Sequence, residues 1–467
     1  MAACGCDFTL AVMQDGSVFA WGRGADAQLG LPACEDRLAP ARVGAAEFGD
    51  ARISFVAAGE FHAAAVAESG DLWTWGRNSD GRLGHGDAER RVRPVRLGTV
   101  AFGGAPVINV ACGEYHTIAV AGDGGVWGCG YNGSGQLGLG DGGDLRRLVF
   151  TRVARLDPER LGGDKIVLAA AGECHSVVVS ARGSVFSFGH GGYGCLGHGD
   201  ERDQKLPRQI AREQFAGANA LVAAAGFAHT VVVTADAGLW VWGSGFRGQL
   251  GLGDSRNRVS PTRISNAAFE GSGVLMAACG FYHTLAVTEE DGGLWAWGFG
   301  QDGRLGLDDH RPHGHVLVPT RIAARHLNNT KVVSAAAGDR HSVAVSEDGA
   351  IYTWGYGGEG DEPGGLGHSA LPDRDRAAVA GLPTRVGQAW LSGQRVGRYH
   401  TLAPDHALAF AMGTHARLGA GNGCAYSSMP TELLKRVVEA CRWWPACGAS
   451  KVPGAVRLMG GGRMRIV

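Results

Sequence analysis

An all-β, seven-bladed β-propeller of four-stranded blades is the fold this sequence predicts, and three observations predict it. One short phrase recurs through most of the chain at a nearly constant interval. Between recurrences lie β-branched and aromatic runs of strand length, separated by turn residues. Composition agrees: among 467 residues 78 are glycine, 45% are hydrophobic and 19% are charged, a chain rich in turns and long enough for a large core.

The phrase is Gly-x-x-His. It stands at Gly59/His62, Gly113/His116, Gly172/His175, Gly226/His229, Gly280/His283, Gly338/His341 and Gly397/His400, and Gly5 opens a first copy in which Phe8 replaces the histidine. After His116 and every later copy comes Thr or Ser. Successive marks lie 54, 54, 59, 54, 54, 58 and 59 residues apart, the regularity of one supersecondary unit copied and stacked.

Each period reads as four strands. An apolar stretch such as Lys-Ile-Val-Leu-Ala at 165–169 precedes the phrase. Just after the histidine comes a β-branched run, as at 117–120, 230–233 and 284–287, closed by a turn such as Asp123-Gly124-Gly125 or Glu347-Asp348-Gly349. Next is an aromatic strand ending at glycine, at 18–22, 72–76, 239–243, 294–298 and 351–355. A glycine-rich loop follows and closes on Gln-Leu-Gly or Arg-Leu-Gly. Last comes Pro-x-Arg, at Pro94, Pro261, Pro319 and Pro383, an outer strand where proline is tolerated. Four strands of ordinary length with their turns fill roughly 50 residues, one propeller blade.

Gly-x-x-His-Thr, x-Trp-Gly-x-x-x-x-Gly-Gln-Leu-Gly and Gly-Asp, best seen over 226–254, resemble the repeats of the regulator-of-chromosome-condensation family, well over about 3–390 and poorly over 391–421. The resemblance implies a seven-bladed β-propeller and two functional classes. One is guanine-nucleotide exchange on a small nuclear GTPase combined with nucleosome binding; the other is a non-catalytic interaction module. Exchange in this family is expected to need an inserted β-wedge of some twenty residues, whereas the longest period here exceeds the shortest by 59 − 54 = 5. Plant ultraviolet receptors of the family carry Gly-Trp-Arg-His-Thr, and no tryptophan stands between Gly and His here. The expected function is therefore a non-enzymatic protein-interaction scaffold without catalytic residues, cofactor or metal, with exchange on a small GTPase as the alternative.

Charge narrows the partners. With 44 basic and 45 acidic residues the formal net charge is -1, so no global field draws the chain to nucleic acid, and direct nucleic-acid binding is not expected. No apolar run approaches the roughly 20 residues of a membrane-spanning helix, and Met1 lies directly before a repeat without a basic-then-apolar signal segment. Eleven cysteines, an odd number with no Cys-x-x-Cys, occupy positions where sister repeats hold other residues: Cys112 and Cys279 stand where Ala58, Ala171 and Ala225 stand. They read as small buried thiols of an intracellular protein, cytoplasmic or nuclear, and no zinc spacing appears. The expected state is a monomer.

A residue present once per blade meets the same need in every blade, while a catalytic centre needs different residues converging on one point. His62, His116, His175, His229, His283, His341 and His400 are accordingly read as structural hydrogen-bonding residues, and the tryptophans before glycine as inter-blade core. Small residues beside large ones, Ala119, Ala286 and Ala344 next to Ile118, Leu285 and Val343, suit the narrow part of a tapered blade.

Function should lie where the repeats differ. The two residues between Gly and His are Glu60-Phe61, Glu114-Tyr115, Glu173-Cys174, Phe227-Ala228, Phe281-Tyr282, Asp339-Arg340 and Arg398-Tyr399. Ring closure should bring these strand ends to one face, acidic on consecutive blades and aromatic beside them. Such a rim suits a basic or mixed protein surface, with the aromatics as anchors; the alternative is an ordinary solvated face. An acidic loop at 357–365 reads as a tolerated insertion.

Eight marks enclose seven periods, so a propeller over 1–403 is expected, closed by residues near 388–396 acting as the strand ahead of Gly5; an eight-bladed ring is the alternative. A degenerate repeat remnant covers 404–427. Ser-Ser-Met-Pro-Thr-Glu at 427–432 opens an amphipathic helix over 428–446 bearing Leu433, Leu434, Val437, Val438, Cys441 and Trp444, either docked as a cap or free for a partner. A flexible tail over 447–467 ends the chain.

Overall fold

Strand-forming runs punctuated by glycine turns give seven four-stranded antiparallel sheets among the described residues. In the computed structural model these are 1–140, 145–308, 314–356, 365–367, 381–386, 456–459 and 463–466. The sheets, here blades one to seven, lie within 2–42, 53–97, 107–152, 166–210, 220–264, 274–321 and 332–385. Chain order runs outward in each. In blade five Ala220–Ala225 pairs with His229–Thr234, which pairs with Leu239–Gly243, which pairs with the outer strand Arg258–Ile264. Proline sits in the outer strands, at Pro94, Pro261 and Pro319, where a missing N–H is harmless.

The glycine of each phrase builds the axis. A Cβ added at Gly59 would lie 2.4 Å from the Gly113 carbonyl oxygen, and the same clash steps round through Gly172, Gly226, Gly280 and Gly338 to Gly5, whose Cβ would meet the Gly59 oxygen at 2.5 Å. This circle has seven members and closes without 397–401, which sets the eight-bladed alternative aside. Ala2–Cys4 forms the innermost strand of blade one. The segment 388–396, expected in that place, lies outside the described residues. Around the axis the innermost strands end in small residues, Ala57-Ala58, Ala170-Ala171 and Ala336-Ala337 among them, while Ala119, Ala286 and Ala344 lie one strand further out.

Three recurring motifs form one latch between neighbouring blades. His229 Nε2 lies 3.1 Å from Thr284 Oγ1 of the next blade, and Thr284 Oγ1 donates at 2.8 Å to the Gln249 carbonyl of the Gln-Leu-Gly loop. That carbonyl also accepts from the Trp297 indole at 2.9 Å. The same His-to-hydroxyl bond joins His62 to Thr117, His116 to Ser176, His175 to Thr230, His283 to Ser342 and His341 to Thr9, over 2.8 to 3.0 Å. Since the hydroxyl's proton goes to the carbonyl, the imidazole must donate from Nε2. The histidines thus reach a side chain of the next blade, and all six are buried.

Packing follows the same periodicity. Trp21, Trp75, Trp242, Trp297 and Trp354 are fully buried. A short 3-10 turn after the outer strand of each of the first six blades inserts one more apolar residue against the next blade: Phe48 packs edge-on to Trp73 at 5.9 Å, Phe215 to Trp240 at 5.6 Å and Phe269 to Trp295 at 5.4 Å. These turns, with two more at Gly192–Gly194 and Gln301–Gly303 between third and fourth strands, are the helical segments of the described residues, and none is long and apolar enough to cross a membrane.

The chain divides into two units, 1–414 and 415–467. In the second, Val456–Met459 pairs antiparallel with Arg463–Ile466, where the sequence suggests a flexible tail. Arg463–Ile466 alternates basic and apolar residues, the strand period, and Val456–Leu458 does the same. The expected helix over 428–446, the remnant over 404–427, His400, Tyr399 and nearly all of the acidic loop lie outside the described residues.

Candidate protein-binding face

The bend between Gly and His turns the chain from the innermost strand into the second, so its two residues sit at one end of every blade. The first of each pair lines the axial mouth: Glu60, Glu114, Glu173, Phe227, Phe281 and Asp339 surround a cavity of about 100 Å³. The second points outward onto the rim. Next to it lies the residue that follows Trp-Gly, because the N–H of Arg77 donates to the Phe61 carbonyl, that of Tyr131 to Tyr115 and that of Phe299 to Tyr282, each at 2.9 Å. The face is therefore built from two loops per blade.

One sector is acidic. Glu114 lies between Glu60 and Glu173 and crowds both with like charge. Burial, then the neighbouring Glu114, pushes Glu60 up to about 9. Burial and Glu114 push Glu173 up to about 7, and burial pushes Asp339 up to about 6. Two arginines that replace Gln in the Gln-Leu-Gly motif lie beneath. Arg82 donates to the Glu114 carbonyl at 2.6 Å and Arg304 to the Asp339 carbonyl at 2.8 Å, while their other nitrogens engage Asp80 and Asp302. Each fixes the backbone that carries an acidic side chain of the next blade.

The other sector is aromatic. Phe227 and Phe281 stack at 4.3 Å inside the mouth, Phe281 meets Tyr282 at 4.5 Å, Tyr282 meets Phe246 at 5.4 Å and Phe246 meets Tyr193 at 6.2 Å. Arg247 lies over Phe246 and Phe299 at 5.3 and 4.7 Å. Tyr193 and Phe246 are 43% and 36% exposed, large apolar surfaces in water. Elsewhere Arg77 covers Phe61 at 5.2 Å, Tyr115 lies against Tyr131 at 6.2 Å, and Arg340 covers Tyr356 at 3.5 Å.

The sequence-predicted residues Glu60, Glu114, Glu173, Phe227, Phe281, Tyr282 and Asp339 thus come together; blades four and five hold Cys174 and Ala228 at the second Gly-x-x-His position and supply their aromatics, Tyr193 and Phe246, from the next loop. Sequence reasoning missed Tyr193, Phe246 and Arg247, in the loop before Leu-Gly that it treated as turns, and Phe299, which ends the strand leading into that loop. The signal was present: these positions differ from blade to blade as the Gly-x-x-His pairs do.

Reactive groups are quiet here. Burial pushes the Cys174 thiol up to about 12, and burial with Asp339 and Asp7 raises that of Cys6 further, so neither is a ready thiolate. Donor atoms of Cys6, Glu60 and Asp339 lie within 4.8 Å of one another, a set from three blades that no linear spacing reveals and that is the one among the described residues able to hold a metal.

A model of the RCC1-like domain matches residues 1–286, and RCC1 repeat models match 291–345, 277–304 and 332–361. The chain belongs to the RCC1 repeat family. It is 34% identical over 377 residues to the ultraviolet-B receptor UVR8 of Arabidopsis thaliana, covering 79% of each protein. It is 32% identical to the E3 ubiquitin-protein ligase HERC2 of Homo sapiens over 80% of this chain and 7% of HERC2. Among solved structures, human WBSCR16 superposes with a TM-score of 0.64 at 25% identity over 74% of this chain and 85% of that one. Prp20p of Saccharomyces cerevisiae gives 0.66 at 24% identity over 81% and 87%.

Proposed function

We propose that this RCC1-family propeller is a non-enzymatic protein-interaction scaffold that binds its partner on the face where the Gly-x-x-His pairs and the following loops converge. The observation that carries the reading is the aromatic cluster of Tyr193, Phe246 and half-buried Tyr282, exposed at the first two and continuous with an acidic mouth. Exposed aromatics set in a polar rim are the anatomy of interface anchors. A related structure, Prp20p, is described by its binding to Gsp1p and histones, which supports protein partners for this fold. The described cysteines are all free, in keeping with an intracellular, cytoplasmic or nuclear, setting. Exchange on a small GTPase is the second reading, supported by the family and opposed by the near-constant period.

The test compares capture by the full chain with capture by Phe246→Ala/Tyr282→Ala and by Val318→Ser on an outer strand, using quantitative mass spectrometry. A specific partner should be lost by the first variant and kept by the second. Retention by both would overturn the proposed face. A nucleotide-release assay on any GTPase recovered decides the second reading.

A further inference from the structure

The aromatic strip leads into the mouth, and the mouth is small. Phe227 and Phe281 belong to both, lining the cavity with Glu60, Glu114, Glu173 and Asp339. At about 100 Å³ the cavity falls below the roughly 300 Å³ at which small-molecule pockets begin. It has room for the head of one side chain. Among the described residues, no ion pair reaches these four carboxylates: Arg82 and Arg304 turn their donors to main-chain oxygens and to Asp80 and Asp302. An anionic ligand would be repelled, whereas a cation would meet carboxylates below and aromatic rings beside it.

Resting on the protein-binding reading above, we infer that the face takes an extended protein segment whose lysine or arginine enters the axial mouth and whose apolar side chain seats on Tyr193, Phe246 and Tyr282. Ring-to-ring steps of 4.5, 5.4 and 6.2 Å connect Phe281 to Tyr193 through Tyr282 and Phe246. An extended chain rises about 3.3 Å per residue, so the cation and the apolar residue stand about three to five residues apart.

The probes are synthetic peptides with one Lys and one Leu separated by varied numbers of Ser and Gly, titrated against the full chain by fluorescence anisotropy in low salt. Matched peptides carry Glu for Lys or Ser for Leu. The Lys/Leu peptides should bind about tenfold more tightly than either control, with an optimum spacing, and Phe246→Ala and Glu114→Gln should each weaken them about tenfold. Equal binding of the Glu peptides overturns the inference, as does equal binding of spermidine to wild type and Phe246→Ala, which would leave a bare cation site. Should no peptide bind while Phe246→Ala/Tyr282→Ala still loses a captured partner, this inference fails and the protein-binding face stands. Retention of the partner by that variant removes both.

Discussion

Phe8 and Ala63 stand across the boundary of blades one and two where a histidine and a hydroxyl residue stand at the other six boundaries. Both are fully buried, and both belong to one apolar cluster with Leu10, Ala65 and Trp75. The indole of Trp75 still donates to the Gln28 carbonyl at 2.9 Å, so the rest of the latch is kept. A lone hydroxyl or a lone imidazole there would be a buried polar group without its partner. Losing both together replaces a polar pair with an apolar one, the change that costs least.

Phe8→His alone should destabilise the chain by about 1 to 3 kcal/mol through an unpartnered buried N–H. Adding Ala63→Thr should recover part of that loss, because the new hydroxyl can donate to the Gln28 carbonyl and accept from the imidazole. Urea unfolding of both single variants and the double gives the coupling energy; a coupling near zero would mean that the latch geometry is not available at this boundary.

His229→Ala should lower stability by about 1 to 3 kcal/mol and leave partner affinity per folded molecule unchanged, since it strands the Thr284 hydroxyl's lone pair in the core. His116→Ala and His283→Ala should behave alike. An activity lost without any shift of the unfolding midpoint would show that one of these histidines does chemistry.

Stability should peak between about pH 6 and 7. Burial holds His116 and His229 at about 3, and His175 and His341 at about 4, against an ordinary 6.5. Below 6.5 the unfolded chain takes up protons that the native chain refuses, so stability falls as pH falls. Glu60, Glu173 and Asp339 have the opposite sign: raised to about 9, 7 and 6, they keep protons that the unfolded chain has released, so their contribution is lost as pH rises through those values. Urea midpoints measured across pH should trace the dome, and Glu60→Gln should flatten its alkaline side. A midpoint still climbing at about pH 9 would contradict the carboxylate cluster.

Reversing Glu60, Glu114 and Glu173 to Lys should slow association with a basic partner strongly in low salt, because like charges suppress encounter more than they alter packing. Tyr282→Ala and Phe281→Ala should instead raise dissociation, by the 1 kcal/mol or more typical of aromatic anchors. Stopped-flow association at two salt concentrations separates the two effects. Unchanged kinetics for the folded triple variant would move the interface elsewhere.

The sequence by itself determined the blades and their internal order, while the closed circle of seven glycines decided between seven blades and eight. Strand period, turn glycines and the Trp-Gly and Gln-Leu-Gly motifs are local properties, and repetition made each of them legible many times over. It also placed Glu60, Glu114, Glu173, Phe227, Phe281 and Tyr282 on a shared face, since equivalent positions in a closed ring must share one. Only the tertiary structure decided what meets what. His229 and Thr284 lie 55 residues apart, and nothing in either repeat says that the hydroxyl belongs to the next blade. Tyr193 and Phe246 join Tyr282 because the loop after Trp-Gly folds back beside the Gly-x-x-His bend, a register fixed by backbone hydrogen bonds between strands. The mouth follows the same logic: carboxylates that the chain separates by whole blades line one cavity when the ring closes, and burial there, which no linear pattern encodes, raises the pKa of Glu60, Glu173 and Asp339.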